Sequence, residues 1–306
     1  METFLSDQEL VSKIKDLASK KDAVILAHNY QRPEIQDIAD YVGDSLGLSR
    51  QAASTDADII IFCGVHFMAE TAYILSPQKT VILPEIEAGC PMADMATAEQ
   101  LKLKKNQHQE ATVVTYVNSS AAVKAESDIC CTSSNAVKVV ESLNSDDILF
   151  VPDKNLGAYV AKQTGKNVIL WDGFCPTHHH IRAGQILALI KEHPQAVFMA
   201  HPECTEEVLA LANHIDSTSG MFSWAKQSDA NEIIVGSEMG MLHRLQIENP
   251  NKIFYPASNQ TICPNMKLIT LDKVYDSLLK LEPKITVPEQ IRLKALEAVD
   301  KMVKIG

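Results

Sequence analysis

Three Cys-Pro pairs, Cys90-Pro91, Cys175-Pro176 and Cys263-Pro264, stand 85 and 88 residues apart, and each follows a short apolar run: Val81-Ile82-Leu83, Val168-Ile169-Leu170 and Ile253-Phe254-Tyr255. β-branched and aromatic runs of this length, bounded by turn formers, read as strands that deliver the next side chain at their C-terminal ends. Near-equal spacing then implies one supersecondary unit used three times, and an internal repeat constrains the fold before any local reading does.

The rest of the chain keeps the same period. The octets AVILAHNY (23–30), ATVVTYVN (111–118) and AVFMAHPE (196–203) each start with Ala, continue as an apolar strand and end in polar residues. Counted from Val24, Thr112 and Val197, second strands are expected 16 to 18 residues on, third strands 35 or 36, fourth strands 56 or 57, and the cysteines 66, 63 and 66. Helical spacing of apolar residues fills the gaps, at 46–54, 67–75, 136–143, 156–163, 205–213 and 239–246. Strand and helix in alternation require right-handed crossovers and a parallel sheet. The expected fold is therefore α/β, with three homologous α/β/α sandwich domains, each carrying a four-stranded parallel sheet, around a pseudo-three-fold axis. The expected units are 1–91, 92–176 and 177–265. A helical tail, 266–306, broken at Pro283 to Pro288, is expected to pack on the first.

Composition excludes several classes. With 306 residues and 46% hydrophobic content the chain can bury several cores, and no apolar run reaches the roughly 20 residues that span a bilayer. The N-terminus lacks the basic and apolar regions of a secretory signal, so a cytoplasmic protein is expected. A net charge of -11 argues against nucleic acid or an anionic membrane surface as partner, while leaving small anionic substrates open. Seven cysteines, an odd count, fit metal binding, catalysis or burial better than a disulfide framework.

In parallel sheets ligands bind beyond the carboxyl ends of the strands. First strands end in His28-Asn29-Tyr30, Tyr116-Val117-Asn118 and His201-Pro202-Glu203; second strands end near Asp44-Ser45, Ser133-Ser134 and Ser217-Thr218; fourth strands end at the three cysteines. If the units face one another, all converge on one cavity. Three thiolates without local CxxC spacing do not make an ordinary structural zinc site. An iron-sulfur cube held by three cysteines would leave one iron open as a Lewis acid. Cys63, Cys130, Cys131 and Cys204 read as packing residues. His178-His179-His180 reads as a mostly solvated helix start, and His66, His108, His193, His214 and His243 carry no pattern. His28, Tyr30, Tyr116, His201 and Glu203 would supply proton donors and acceptors for enolisation and dehydration. Ser133, just before a helix, suits a phosphate.

These residues resemble the quinolinate synthase (NadA) family. The likeness runs over nearly the whole chain, through AHNYQRPEIQDIADYVGDSL, FMAETAYILSP, PEIEAGCPMADM, TYVNSSAAVKAESDICCTSSNA, PDKNLGAYVAKQTGK, GFCPTHHHI, AHPEC, STSGM and GSEMGMLHRL. The resemblance implies a [4Fe-4S] cluster on Cys90, Cys175 and Cys263 with one open iron site. It implies condensation of iminoaspartate with dihydroxyacetone phosphate to quinolinate, with loss of phosphate and water, in de novo NAD biosynthesis. L-aspartate oxidase or aspartate dehydrogenase would supply the iminoaspartate. Substrate-binding positions fall on His28, Ser45, Tyr116, Asn118, Ser133, His201, Glu203 and Thr218, with Tyr30 matching a catalytic tyrosine and Asp44 adjoining Ser45. Glu203, with Tyr116, is expected to act as the base, and His28 and Tyr30 to assist enolisation and carbonyl chemistry. Some members carry CxxCxxC at the third cysteine, whereas this chain has Cys263-Pro264-Asn265-Met266, and Thr177 stands where an aliphatic residue is expected. A different cluster-dependent hydro-lyase and a non-enzymatic iron-sulfur sensor share the three-cysteine logic and remain as other readings.

Overall fold

The computed structural model describes residues 6–305, so Met1 to Leu5, which open the N-terminus read above, and Gly306 lie outside the described residues. Among the described residues, twelve strands form three four-stranded parallel sheets. The first contains β1 (Ala23–His28), β2 (Tyr41–Gly43), β3 (Ile59–Cys63) and β4 (Thr80–Ile82). The second contains β5 (Thr112–Tyr116), β6 (Ile129–Cys131), β7 (Asp147–Val151) and β8 (Asn167–Leu170). The third contains β9 (Val197–Ala200), β10 (His214–Ile215), β11 (Glu232–Gly236) and β12 (Ile253–Pro256). Strand order is the same in all three, second-first-third-fourth, and every pairing is parallel, for example Val24 with Ile60 and Val113 with Leu149.

That order explains the hydrophobic pattern. The central strands are covered on both faces, so β3 is apolar at every position and wholly buried. The fourth strands lie at sheet edges, and β8 exposes Asn167 and Leu170. A reciprocal bond recurs at the crossover from first to second strand. The Asp40, Asp128 and Asn213 side chains accept from the backbone N–H of Ile25, Val113 and Phe198 at 2.7, 2.8 and 2.8 Å. Their own backbone N–H groups donate to the carbonyls of the same three residues.

Helices between strands fall where the apolar spacing puts them, with one marked difference. The expected helix at 205–213 is the short Glu206–Leu209, because the backbone turns at Ala210 to bring Asn213 back to Phe198. The C-terminal residues form helices Leu271–Lys280 and Glu289–Lys304. Between them, Pro283 to Ile285 forms an antiparallel bridge on the outer edge of β4, Ile285 N–H donating to the Val81 carbonyl at 2.8 Å. The first of these helices packs on Asp7–Lys20, and the last lies across helices His66–Leu75 and Ala121–Lys124 and strand β6. No helix among the described residues is long and apolar enough to cross a membrane.

Candidate active site

The carboxyl ends of the three sheets meet at a single cavity. It is lined by His28, Tyr30, Ser45, Tyr116, Asn118, Ser133, His201, Glu203, Thr218, Cys90, Cys175 and Cys263, with Asp44 beside them. Every site residue expected from the sequence is thus brought together. They fall in sets of equivalent positions: His28, Tyr116 and His201 end first strands, Tyr30, Asn118 and Glu203 stand two residues further on, and Ser45, Ser133 and Thr218 follow second strands. Val65, Phe67, Met68, Met92 and Met266 give the wall an apolar part, with Gly89 and Thr177 beside them. No Lys or Arg is among the described lining residues.

Local structure fixes each group. Asp44 caps helix Ser45–Ser54, accepting from Gly47 N–H at 2.8 Å, and its other oxygen accepts from the Ser134 hydroxyl, tying the first unit to the second. Ser217 caps helix Thr218–Gln227 in the same way, and Thr218 Oγ1 accepts from Asn29 Nδ2 at 3.2 Å, tying the third unit to the first. His28 and His201 share one turn: the Nδ1 of each accepts the backbone N–H two residues on, from Tyr30 at 3.1 Å and Glu203 at 3.3 Å. A backbone N–H can only donate, so in the neutral ring the proton sits on Nε2. Burial pushes His28 down to about 4 and His201 down to about 3, so both are neutral N–H donors at pH 7. His201 Nε2 lies 3.2 Å from Ser133 Oγ.

Glu203 is the hub. Its Oε1 accepts from the Tyr116 hydroxyl at 2.5 Å and its Oε2 lies 2.6 Å from His178 Nδ1. Burial alone would raise its carboxyl, but interaction with His178 and His201 and the bonds from His178 and Tyr116 outweigh this and hold it below the usual range. Burial raises both tyrosines far above the ordinary phenol, with the charge on Glu203 adding to it. Asn118 Oδ1 is buried without a partner, an acceptor left for a ligand.

His178 corrects the reading of the histidine run as a solvated helix start. Its ring is fully buried, stacked on His201 with centroids 4.6 Å apart, while His179 is half-buried and His180 exposed. Its Nε2 faces Ser237 Oγ at 3.1 Å and the Tyr30 hydroxyl at 3.3 Å, and the two hydroxyls are 3.0 Å apart. A relay from Tyr30 and Ser237 through His178 to Glu203 and Tyr116 therefore runs along the cavity wall, with His178 and Ser237 behind the lining. Ser237 was missed because it follows β11, a third strand, and the equivalent residues after the other third strands, Gly64 and Pro152, carry no reactive side chain; His178 lies in the turn beyond a fourth strand. The one signal was the i, i+3 spacing of His178 from Cys175 at a helix start. Glu238, also missed, is buried at the end of β11, accepts from Cys263 N–H at 3.0 Å, and pairs with Lys267 Nζ at 3.0 Å.

The three half-buried cysteines suit a metal group. Each is followed by Pro and a short helical turn, Ala93–Met95, Pro176–His179 and Asn265–Lys267. Burial raises all three thiols, Cys90 to about 12, while backbone N–H groups of Ala93 and Met92, of His178, and of Met266 and Asn265 oppose it by favouring the thiolate. Among the described residues, only Cys175, His178 and Glu203 bring three ligand atoms within 4.8 Å of one another. The three sulfurs are thus too spread for one ion, as suits a cluster that takes each thiolate on a different iron. Cys63, Cys130, Cys131 and Cys204 are fully buried, unpaired and away from the cavity lining. Cys204 lies in the turn before helix Glu206–Leu209 rather than starting it.

A cavity with positioned proton carriers and a metal-capable thiol set, built from three repeated α/β units, defines an enzyme acting on small polar molecules. The quinolinate synthetase A protein family model matches residues 12–304, and the chain belongs to that family. It is 54% identical to quinolinate synthase 1 of Methanosarcina acetivorans, over 98% of this chain and 99% of that one. It is 55% identical to the quinolinate synthase of Geobacter metallireducens, over 96% of each, and 55% identical to that of Dehalococcoides mccartyi, over 97% and 99%.

Proposed function

We propose that this cavity condenses iminoaspartate with dihydroxyacetone phosphate to quinolinate, releasing phosphate and water, for NAD biosynthesis. The observation that carries the reading is the convergence of equivalent strand ends from three units, thiols included, on one cavity. Cys90, Cys175 and Cys263 would hold a [4Fe-4S] cluster, which when bound supplies an open Lewis-acid position for a substrate oxygen and for a departing hydroxide.

The chain's own groups supply the rest. The Nε2–H of His28 and His201 and the hydroxyls of Ser45, Ser133 and Thr218 donate to the carboxylate and phosphate oxygens of the substrates. These donors are mostly buried side chains, and a hydrogen bond to an anion counts for more at low local dielectric. Asn118 Oδ1 accepts from a substrate N–H or O–H. The Tyr30 phenol, protonated at neutral pH, donates at a carbonyl oxygen during enolisation. Glu203, ionised and aligned by Tyr116 and His178, takes the carbon-bound proton in the deprotonation that precedes loss of water, and His178 carries charge away toward Ser237 and Tyr30.

Seven unpaired cysteines agree with a reducing cytoplasm. L-aspartate oxidase or aspartate dehydrogenase would provide the iminoaspartate, and both serve as its source in the test. Under anaerobic conditions the reconstituted protein, given dihydroxyacetone phosphate and iminoaspartate made in place, should form quinolinate. Full cluster content with no quinolinate would overturn the reading in favour of another hydro-lyase or a sensor.

A further inference from the structure

Cys175, His178 and Glu203 bring a sulfur, an imidazole nitrogen and a carboxylate oxygen within 4.8 Å of one another at the cavity wall. Cys175 and His178 lie three residues apart across a helix start, so they chelate from one turn, and Glu203 arrives from the third sheet. His178 Nδ1 is 3.3 Å from Cys175 Sγ and 2.6 Å from Glu203 Oε2. Tetrahedral zinc, with bonds of about 2.0 to 2.3 Å, wants donor atoms roughly 3.3 to 3.6 Å apart. The sulfur and nitrogen already meet this, and the nitrogen and oxygen need only part slightly when a metal replaces the proton between them.

The outer partners are in place as well. On metallation the imidazole keeps one proton by holding it at Nε2, where Ser237 Oγ at 3.1 Å accepts it; Glu203 Oε1 keeps the Tyr116 hydroxyl. The Cys175 thiol loses one proton to solvent. A soft sulfur, an imidazole and a carboxylate suit Zn²⁺, which outranks Fe²⁺ for such donors.

We infer that the cluster-free protein binds one zinc ion at Cys175, His178 and Glu203, and that this ion excludes the iron-sulfur cluster by taking Cys175. The zinc site stands on the geometry alone; the exclusion rests on the cluster reading proposed above.

Zn²⁺ titrated into the anaerobic, cluster-free full chain should bind at one equivalent. X-ray absorption at the zinc edge should show one sulfur with nitrogen and oxygen neighbours. Three sulfurs would place zinc among the cysteines and overturn the site. The Cys90→Ser/Cys263→Ser double variant should still bind zinc, and loss of binding overturns the proposal. His178→Gln should weaken zinc roughly 10²-fold or more, whereas unchanged affinity overturns it. Zinc-loaded wild type should take up no cluster iron; iron and zinc bound together would overturn the exclusion. Failure of zinc-free wild type to take up iron and sulfide would instead sink the cluster reading and leave the zinc result standing.

Discussion

The two ends of the three sheets have been treated differently. At the amino ends the units remain copies: Asp40, Asp128 and Asn213 make the same bond at the same place. At the carboxyl ends equivalent positions hold different groups, with Tyr116 opposite His28 and His201, and Glu203 opposite Tyr30 and Asn118. A bond that maintains a crossover has one solution, so repetition preserves it. A reaction with a distinct donor, base and anion subsite needs three unlike faces, so divergence gathers there. What stays threefold at the carboxyl ends includes the Cys-Pro turns and the hydroxyls of Ser45, Ser133 and Thr218, which fits a symmetric group and anionic ligands.

The sharpest way to break this comparison is at a position that is both repeated and reactive. Cys175→Ser should lose the cluster and bring quinolinate formation to background, as should Cys90→Ser and Cys263→Ser, while Cys63→Ser should keep its iron; anaerobic iron and sulfide analysis reads this directly. Next come the unlike groups. Glu203→Gln and His178→Gln should fold and hold iron but lose about 10² to 10⁴ in kcat, the usual worth of a positioned proton carrier. Near-normal turnover in either would return the relay to a packing role.

A third prediction is a pH effect. His28 is held neutral to about pH 4 in the folded protein but titrates near 6.5 once unfolded. Between those values the unfolded chain binds more protons, so stability falls as pH drops from about 6.5 to 4, by about 3 kcal/mol in full. His201 acts in the same direction and further down, to about pH 3. Denaturant unfolding from pH 7 to 4 should show a shallower loss for His28→Asn than for wild type; parallel curves would count against burial as the cause. The smallest effect belongs to the amino ends. Asp128→Ala should cost about 1 kcal/mol of stability and leave KM and kcat of the folded enzyme unchanged.

The period of the chain carried most of the fold. Strands begin within a residue or so of where the offsets from Val24, Thr112 and Val197 put them, because a repeated unit must place its buried apolar runs at equal intervals. The strand-end residues were legible for the same reason. His178, Ser237 and Glu238 were not, since their importance depends on which side chains face them from distant parts of the chain, 59 residues apart for His178 and Ser237. The Pro283–Ile285 bridge to β4 was hidden too: an antiparallel edge addition of so few residues has no periodicity to read.

The path of the last helix has a consequence for how the molecule is made. Asn135, beside the cavity's Ser133, donates through Nδ2 to the carbonyls of Met302 at 3.0 Å and Ile305 at 2.6 Å, and Arg50 donates to the Val303 carbonyl at 2.9 Å. These residues follow the third unit in the chain, so during synthesis they leave the ribosome after all three sheets. The turn that carries Ser133 and Ser134 thus waits for these partners until all three sheets have been made. A nascent chain can lay down its units in order, yet the pocket between them is completed from behind, by a segment that emerges after them.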